Sequence, residues 1–112
     1  MKMTKSIAEL PQITMTFAGN DGFEMTIGGT GFVQINWIGN ERCNSTENFR
    51  IGYLKKIHFW VTPQQTIVFK GKVTHLEFIS KSLAVIDVSK NHLLTTLICE
   101  GNNAEKIGWK GN

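Results

Sequence analysis

The chain predicts an all-β protein: a small β-sandwich-like module followed by a short stacked coil of about two turns. Three observations predict it. Eleven glycines and two prolines punctuate 112 residues, a turn-rich composition. Apolar residues alternate with polar ones in short runs, which is the period of half-buried strands. The last third repeats itself. Leu76, Ile86, Leu97 and Ile107 fall at steps of 10, 11 and 10. Phe78, Val88, Cys99 and Trp109 keep those steps, as do Val73, Leu83, Leu94 and Ala104. Self-similarity at fixed period marks stacked units that bury their faces on one another.

The elements follow in order. Residues 1–10 read as a leader, ended by Pro11. Ile13, Met15 and Phe17 alternate with threonines, and Phe23, Met25 and Ile27 alternate beyond Gly19-Asn20-Asp21-Gly22. Asp-Gly favours a tight turn, so 13–28 is expected to be a β-hairpin. Gly28-Gly29-Thr30-Gly31 is expected to turn the chain again, before a strand over 32–37. Residues 39–48 read as a polar loop. Strands are expected around Lys56–Val61 and Thr66–Gly71, separated by the turn Thr62-Pro63-Gln64.

The repeats start at Val73. An extended chain covers about 3.3 Å per residue, so one unit of ten or eleven cannot encircle a filled core. Two units can, which makes 73–93 one turn and 94–112 the next. Leu76 should then stack on Leu97, and Ile86 on Ile107. Two turns alone are marginal, so the module at 11–72 is expected to cap the coil at 73–112.

The repeat carries a resemblance. Leu83-Ala-Val-Ile86-Asp-Val88-Ser-Lys-Asn91 and Leu94-Thr-Thr-Leu97-Ile-Cys99-Glu-Gly-Asn102 resemble the leucine-rich repeats of about 21 residues found in bacterial cell-surface proteins. There, units of the forms L-x-x-L-x-V-S-x-N and L-x-x-L-x-C-x-x-N alternate. The match spans about 40 residues. In that family a β-sandwich module like those of polycystic-kidney-disease (PKD) repeats often precedes the coil. Val33 to Asn40 and Thr66 to Gly71 resemble its strands. Ile38 and Asn40 replace the glycine and acid of its W-G-D-G turn, so no role passes to that turn. The resemblance implies a leucine-rich-repeat coil, a cell-surface setting and binding rather than catalysis.

Slot geometry then proposes surfaces. Leu83, Ile86 and Val88 point inward on one strand, and Leu94, Leu97 and Cys99 on another. Asn91 and Asn102 are expected to bond backbone groups left unpaired by the turns. The candidate binding face is His75, Glu77, Ile79, Thr96, Ile98 and Glu100. A second face holds Asp87, Ser89, Lys106 and Lys110. Ile107 and Trp109 form a candidate assembly end, because an open coil leaves strand edges and apolar core uncovered.

Chemistry is sparse. His58, His75 and His92 have no metal-ligand spacing, and no calcium loop occurs. Glu77 and Asp87 fall on opposite sheets, so they cannot converge as a catalytic pair. Asp21 is accounted for by its Asp-Gly turn. The run Gly28–Gly31 lacks the lysine and helix of a phosphate loop. Core packing is expected for Trp37, Trp60 and Trp109. Cys43 and Cys99 are too few for a disulfide framework and read as free thiols. No catalytic residue, metal or cofactor is predicted.

The net charge of +3 is mild and unclustered in sequence, which argues against nucleic acid as a partner. No apolar run reaches membrane-spanning length. The start of the chain lacks the apolar core of a signal peptide. An extracellular or cell-surface location is expected if an export signal was removed, and a cytoplasmic one otherwise. The leading expectation is a non-enzymatic protein- or glycan-recognition or adhesion module. The alternatives are a capping segment of a longer array, self-associating as a homo-oligomer through its coil end, and an enzyme accessory domain.

Overall fold

The computed structural model describes residues 10–39 and 45–100, with the backbone alone of 108–110. It is all-β, with eight strands and no helix among the described residues. In chain order these are β1 (Gln12–Phe17), β2 (Asp21–Ile38), β3 (Ser45–Arg50) and β4 (Leu54–Val61). They continue with β5 (Thr66–Ile79), β6 (Leu83–Lys90), β7 (Thr96–Glu100) and β8 (Gly108–Lys110).

Two long strands, β2 and β5, organise everything. They run antiparallel and pair twice, once over Met25–Thr30 with Lys72–Phe78 and again over Val33–Ile38 with Thr66–Gly71. Between the two stretches the register slips at Gly28/Gly29 and at Thr30/Val33. Such bulges bend a strand and increase its twist. The bend splits the sheet into two layers. One has the order β4-β2-β5-β7, the other β3-β2-β5-β1-β6-β8.

The bend needs glycine where backbones close up. A Cβ at Gly29 would collide with the Lys72 carbonyl oxygen, and one at Gly71 would lie 2.8 Å from the Phe32 carbonyl oxygen. This corrects the expected turn at Gly28–Gly31. The glycines steer one continuous strand around a corner rather than ending it.

The two layers face each other across an aromatic core. Phe59 on β4 lies 5.4 Å from Trp37 and 5.9 Å from Phe69, both on the opposite layer. Phe23 on β2 lies 5.5 Å from Phe17 on β1. Ile13, Met15, Met25, Ile27, Val33, Ile67, Phe69, Leu76 and Ile86 are all fully buried. One cluster therefore joins residues from both sides of position 72, and β5 runs through that position without a break.

Strand periodicity located the inward residues well, but pairing departs from expectation. The hairpin over 13–28 does not form. β1 pairs with β5 and β6, and β2 pairs with β3, β4 and β5. Inserting β1 between β5 and β6 gives its apolar face two neighbours instead of one. The polar segment 39–48 is also not all loop. Residues 45–48 belong to β3, an edge strand whose side chains, Phe49 apart, are exposed. Ladder hydrogen bonds to β2 hold it, so it carries little apolar signal.

The repeat spacing reappears as parallel pairing. On β5 and β7, Leu76 pairs with Leu97 and Phe78 with Cys99, each 21 residues on. Thr95 donates from its backbone N–H to the Thr74 carbonyl at 2.9 Å, extending that rung. On the other layer β8 pairs parallel with β6, but Ile86 meets Trp109 rather than Ile107. The connection there holds two more residues than the repeat expects. Ile107 itself lies outside the described residues, as do Asn102, Lys106, Cys43 and the leader over 1–9. These are parallel rungs on predominantly antiparallel layers, and a coil of leucine-rich repeats is not shown.

Candidate functional site

The outer surface of the layer β4-β2-β5-β7 gathers the first predicted face. On β5, His75, Glu77 and Ile79 alternate with buried Leu76 and Phe78. On β7, Thr96, Ile98 and Glu100 lie directly opposite them, as His75↔Thr96, Glu77↔Ile98 and Ile79↔Glu100. All six therefore share one surface. His75 Nε2 lies 3.3 Å from Glu77 Oε1. Ile79 and Ile98 are exposed at 65% and 44%.

The neighbouring strands extend this surface in a way sequence reasoning missed. β2 contributes Glu24 and Thr26, with Thr26 paired to Glu77. β4 contributes Lys56, His58 and Trp60, paired with Thr26, Glu24 and Gly22. Trp60 is 72% exposed, which corrects its expected burial. Its parity is the reason. Phe59 and Val61 face the core, so Trp60 between them must face out. That alternation was present in the sequence and would have located the indole.

Trp60 is nonetheless held. A Cβ at Gly22 would lie 2.6 Å from ring carbon Cε3, so the indole rests on the bare backbone of that glycine. The His58 ring packs against it from the same strand, with centroids 4.6 Å apart. A large residue on the glycine position would displace the ring. Across β2, β5 and β7 runs a groove of about 410 Å³, with Gly22, Glu24, Glu77, Ile79, Ile98 and Glu100 in its lining and Lys56 beside them. It combines apolar side chains with carboxylates, and Gly22, on which the Trp60 ring rests, is part of it.

The second predicted face is less complete. Asp87 Oδ1 accepts from the Ser89 backbone N–H at 3.0 Å and from Ser89 Oγ at 2.6 Å, a local turn-like arrangement. The Lys110 backbone pairs with Asp87, while its side chain and Lys106 lie outside the described residues. The predicted assembly end is described only as backbone at Trp109, which pairs with fully buried Ile86 on β6. Glu77 and Asp87 belong to different layers.

Several polar residues turn out to hold the frame. Asn91 is buried; its Nδ2 donates to the Val73 carbonyl at 3.0 Å, and its Oδ1 accepts from the Leu93 N–H at 2.8 Å. That is the backbone-bonding role its repeat slot predicts. Asp21 does more than start a turn. Its Oδ2 accepts from Ser80 Oγ at 2.7 Å and from the Lys81 N–H at 3.1 Å, tying the β5–β6 turn to the start of β2. Cys99 is a free thiol on the partly buried inner side of β7. Burial first, and Glu100 second, push its pKa above the ordinary 9.0, the opposite of what an activated thiol needs.

The chain matches no family model, no curated protein and no solved structure to which it was compared. No helix long and apolar enough to cross a membrane occurs among the described residues. What the fold and the surface define together is a class: an all-β, sandwich-like domain with one open, amphipathic sheet face.

Proposed function

We propose that this protein is a non-enzymatic recognition or adhesion module, binding a protein or glycan ligand on the outer face of β4-β2-β5-β7. The observation that carries the reading is Trp60, largely exposed yet seated on Gly22, a residue of the groove's lining. A ring already held in place loses little freedom when a ligand covers it, so its buried area converts efficiently into affinity. Ile79 and Ile98 add apolar floor. Glu24, Glu77 and Glu100 offer acceptors to ligand hydroxyls, amides or cations. A cell-surface setting and kinship with bacterial leucine-rich-repeat proteins belong to the same proposal, supported by the 21-residue rung from β5 to β7.

The test is to probe printed glycan and tiled peptide arrays with the full chain, its Trp60→Ala variant and its Ile79→Ser variant. A ligand bound by the wild type and weakened at least about tenfold by both changes supports the reading. Binding that survives both changes, or none on either array, sinks it.

A second reading has its own observation. Among the described residues β7 pairs with β5 alone, and a strand of the same spacing adding to its other edge would continue the parallel rung. In that reading the chain is a structural cap of a repeat array, or self-associates. Sedimentation velocity over a wide concentration range decides it: concentration-dependent dimers or ladders support assembly, and a monomer throughout removes it.

A further inference from the structure

The opposite end of β4 carries a different surface. Trp60 and Leu54 are six residues apart on the strand, roughly 20 Å at the rise of an extended chain. Around Leu54 the chain brings two glycine tips side by side. Gly31 (φ +74°) lies on the bulge of β2 and Gly52 (φ +65°) on the turn from β3 to β4. The Ile51 N–H donates to the Gly31 carbonyl at 2.9 Å and fastens one tip to the other. At neither glycine would a Cβ meet anything within 4 Å, so both tips project into open space.

Large apolar side chains stand on these tips. Tyr53 is 90% exposed, Phe32 63% and Leu54 48%. Cations surround them. The Arg50 guanidinium lies 5.6 Å from the Phe32 ring centroid, and Lys55 Nζ lies 5.9 Å from that of Phe49. Lys72 pairs with Thr30 at the bulge. The fold thus brings Arg50 of β3, Lys55 of β4 and Lys72 of β5 to one corner.

We propose that this corner docks the protein onto an anionic phospholipid surface. Tyr53, Phe32 and Leu54 enter the headgroup region, where aromatic side chains with a polar tip are at home. Arg50, Lys55 and Lys72 remain among the phosphates and carboxylates. The two contributions are of the kind that together retain a peripheral protein. Charge complementarity selects the anionic surface. The exposed Leu54 and Tyr53, which a purely polar polyanion would leave wet, select lipid over a sulfated glycan or nucleic acid. Trp60 lies six residues along β4 from Leu54, so a change there leaves this corner intact.

The experiment is co-sedimentation of the full chain with phosphatidylcholine vesicles, with and without phosphatidylserine, at low and high salt. Parallel runs use Tyr53→Ser, the pair Arg50→Glu and Lys55→Glu, and Trp60→Ala. All side chains changed are exposed, and far-ultraviolet circular dichroism with a cooperative thermal transition checks that each variant is folded. The expected result is binding to phosphatidylserine vesicles only, reduced about tenfold or more by high salt and by the charge reversals. Tyr53→Ser should weaken it several-fold, and Trp60→Ala should leave it unchanged. Equal binding to both vesicle types, or none, overturns the proposal. So does retention on heparin without vesicle binding, which would make the corner a polyanion site. Loss of vesicle binding in Trp60→Ala would also overturn it, by moving the lipid site to the groove.

Discussion

Asn91 shows how much one polar side chain can hold. It is 2% exposed and bonds both the Val73 carbonyl on β5 and the Leu93 N–H in its own turn. Alanine there would leave the buried Val73 carbonyl and the half-buried Leu93 N–H without this partner. The expected loss is about 2–3 kcal/mol, read as a lower urea midpoint with an unchanged slope. Asn91→Asp should also destabilise, because it keeps the acceptor but buries a charge where the donor was. This residue was legible in the sequence because its slot recurs in step with the apolar ones. Gln65 was not. It is 1% exposed, with Nε2 donating to the Ile38 carbonyl at 3.4 Å and Oε1 accepting from Thr62 Oγ1 at 3.2 Å. Nothing local distinguishes it from its neighbour Gln64, and only the meeting of the β2 end with the β4–β5 turn buries it.

At the scale of elements, the bulged corner of β2 and β5 decides the architecture. Gly29 and Gly71 permit backbones to approach where any side chain would intrude. Gly29→Ala should therefore cost roughly 2–3 kcal/mol through overpacking against Lys72. Gly52→Ala is the control: its φ of +65° disfavours a side chain, but the space around it is empty, so about 1 kcal/mol is expected. Thermal unfolding of the two variants should rank them in that order, and equal losses would show that the close approach at Gly29 is unimportant. The sequence presented Gly28–Gly31 as a turn because glycine clusters mark turns and strand corners alike. Likewise β3 was hidden in a polar segment, since edge strands are held by ladder hydrogen bonds and need no apolar face.

At the scale of the whole molecule, Phe59 joins the layers. Its ring touches Phe23 within its own layer and both Trp37 and Phe69 on the other. Phe59→Ala should cost about 3–5 kcal/mol, a large part of the roughly 5–15 kcal/mol that holds a typical domain. Trp60→Ala, one residue on but facing solvent, should change stability by about 0.5 kcal/mol or less. Urea titrations of the pair measure the inside and outside of one strand. If both variants lost equal stability, Trp60 would be part of the core rather than free to meet a ligand.

The sequence by itself determined the all-β class, most strand positions and most of the residues that turn inward. Those properties follow from local alternation and from the repeat spacing, and the 21-residue rung from Leu76 to Leu97 is their clearest product. Only the tertiary structure decided that β1 inserts between β5 and β6, that two long strands pass through both layers, and that Trp60 stands on Gly22. The reason is that a strand's apolar face can be buried against several partners at similar gain. The choice among them rests on the long-range fit of bulges, glycines and aromatic rings, which no local pattern records.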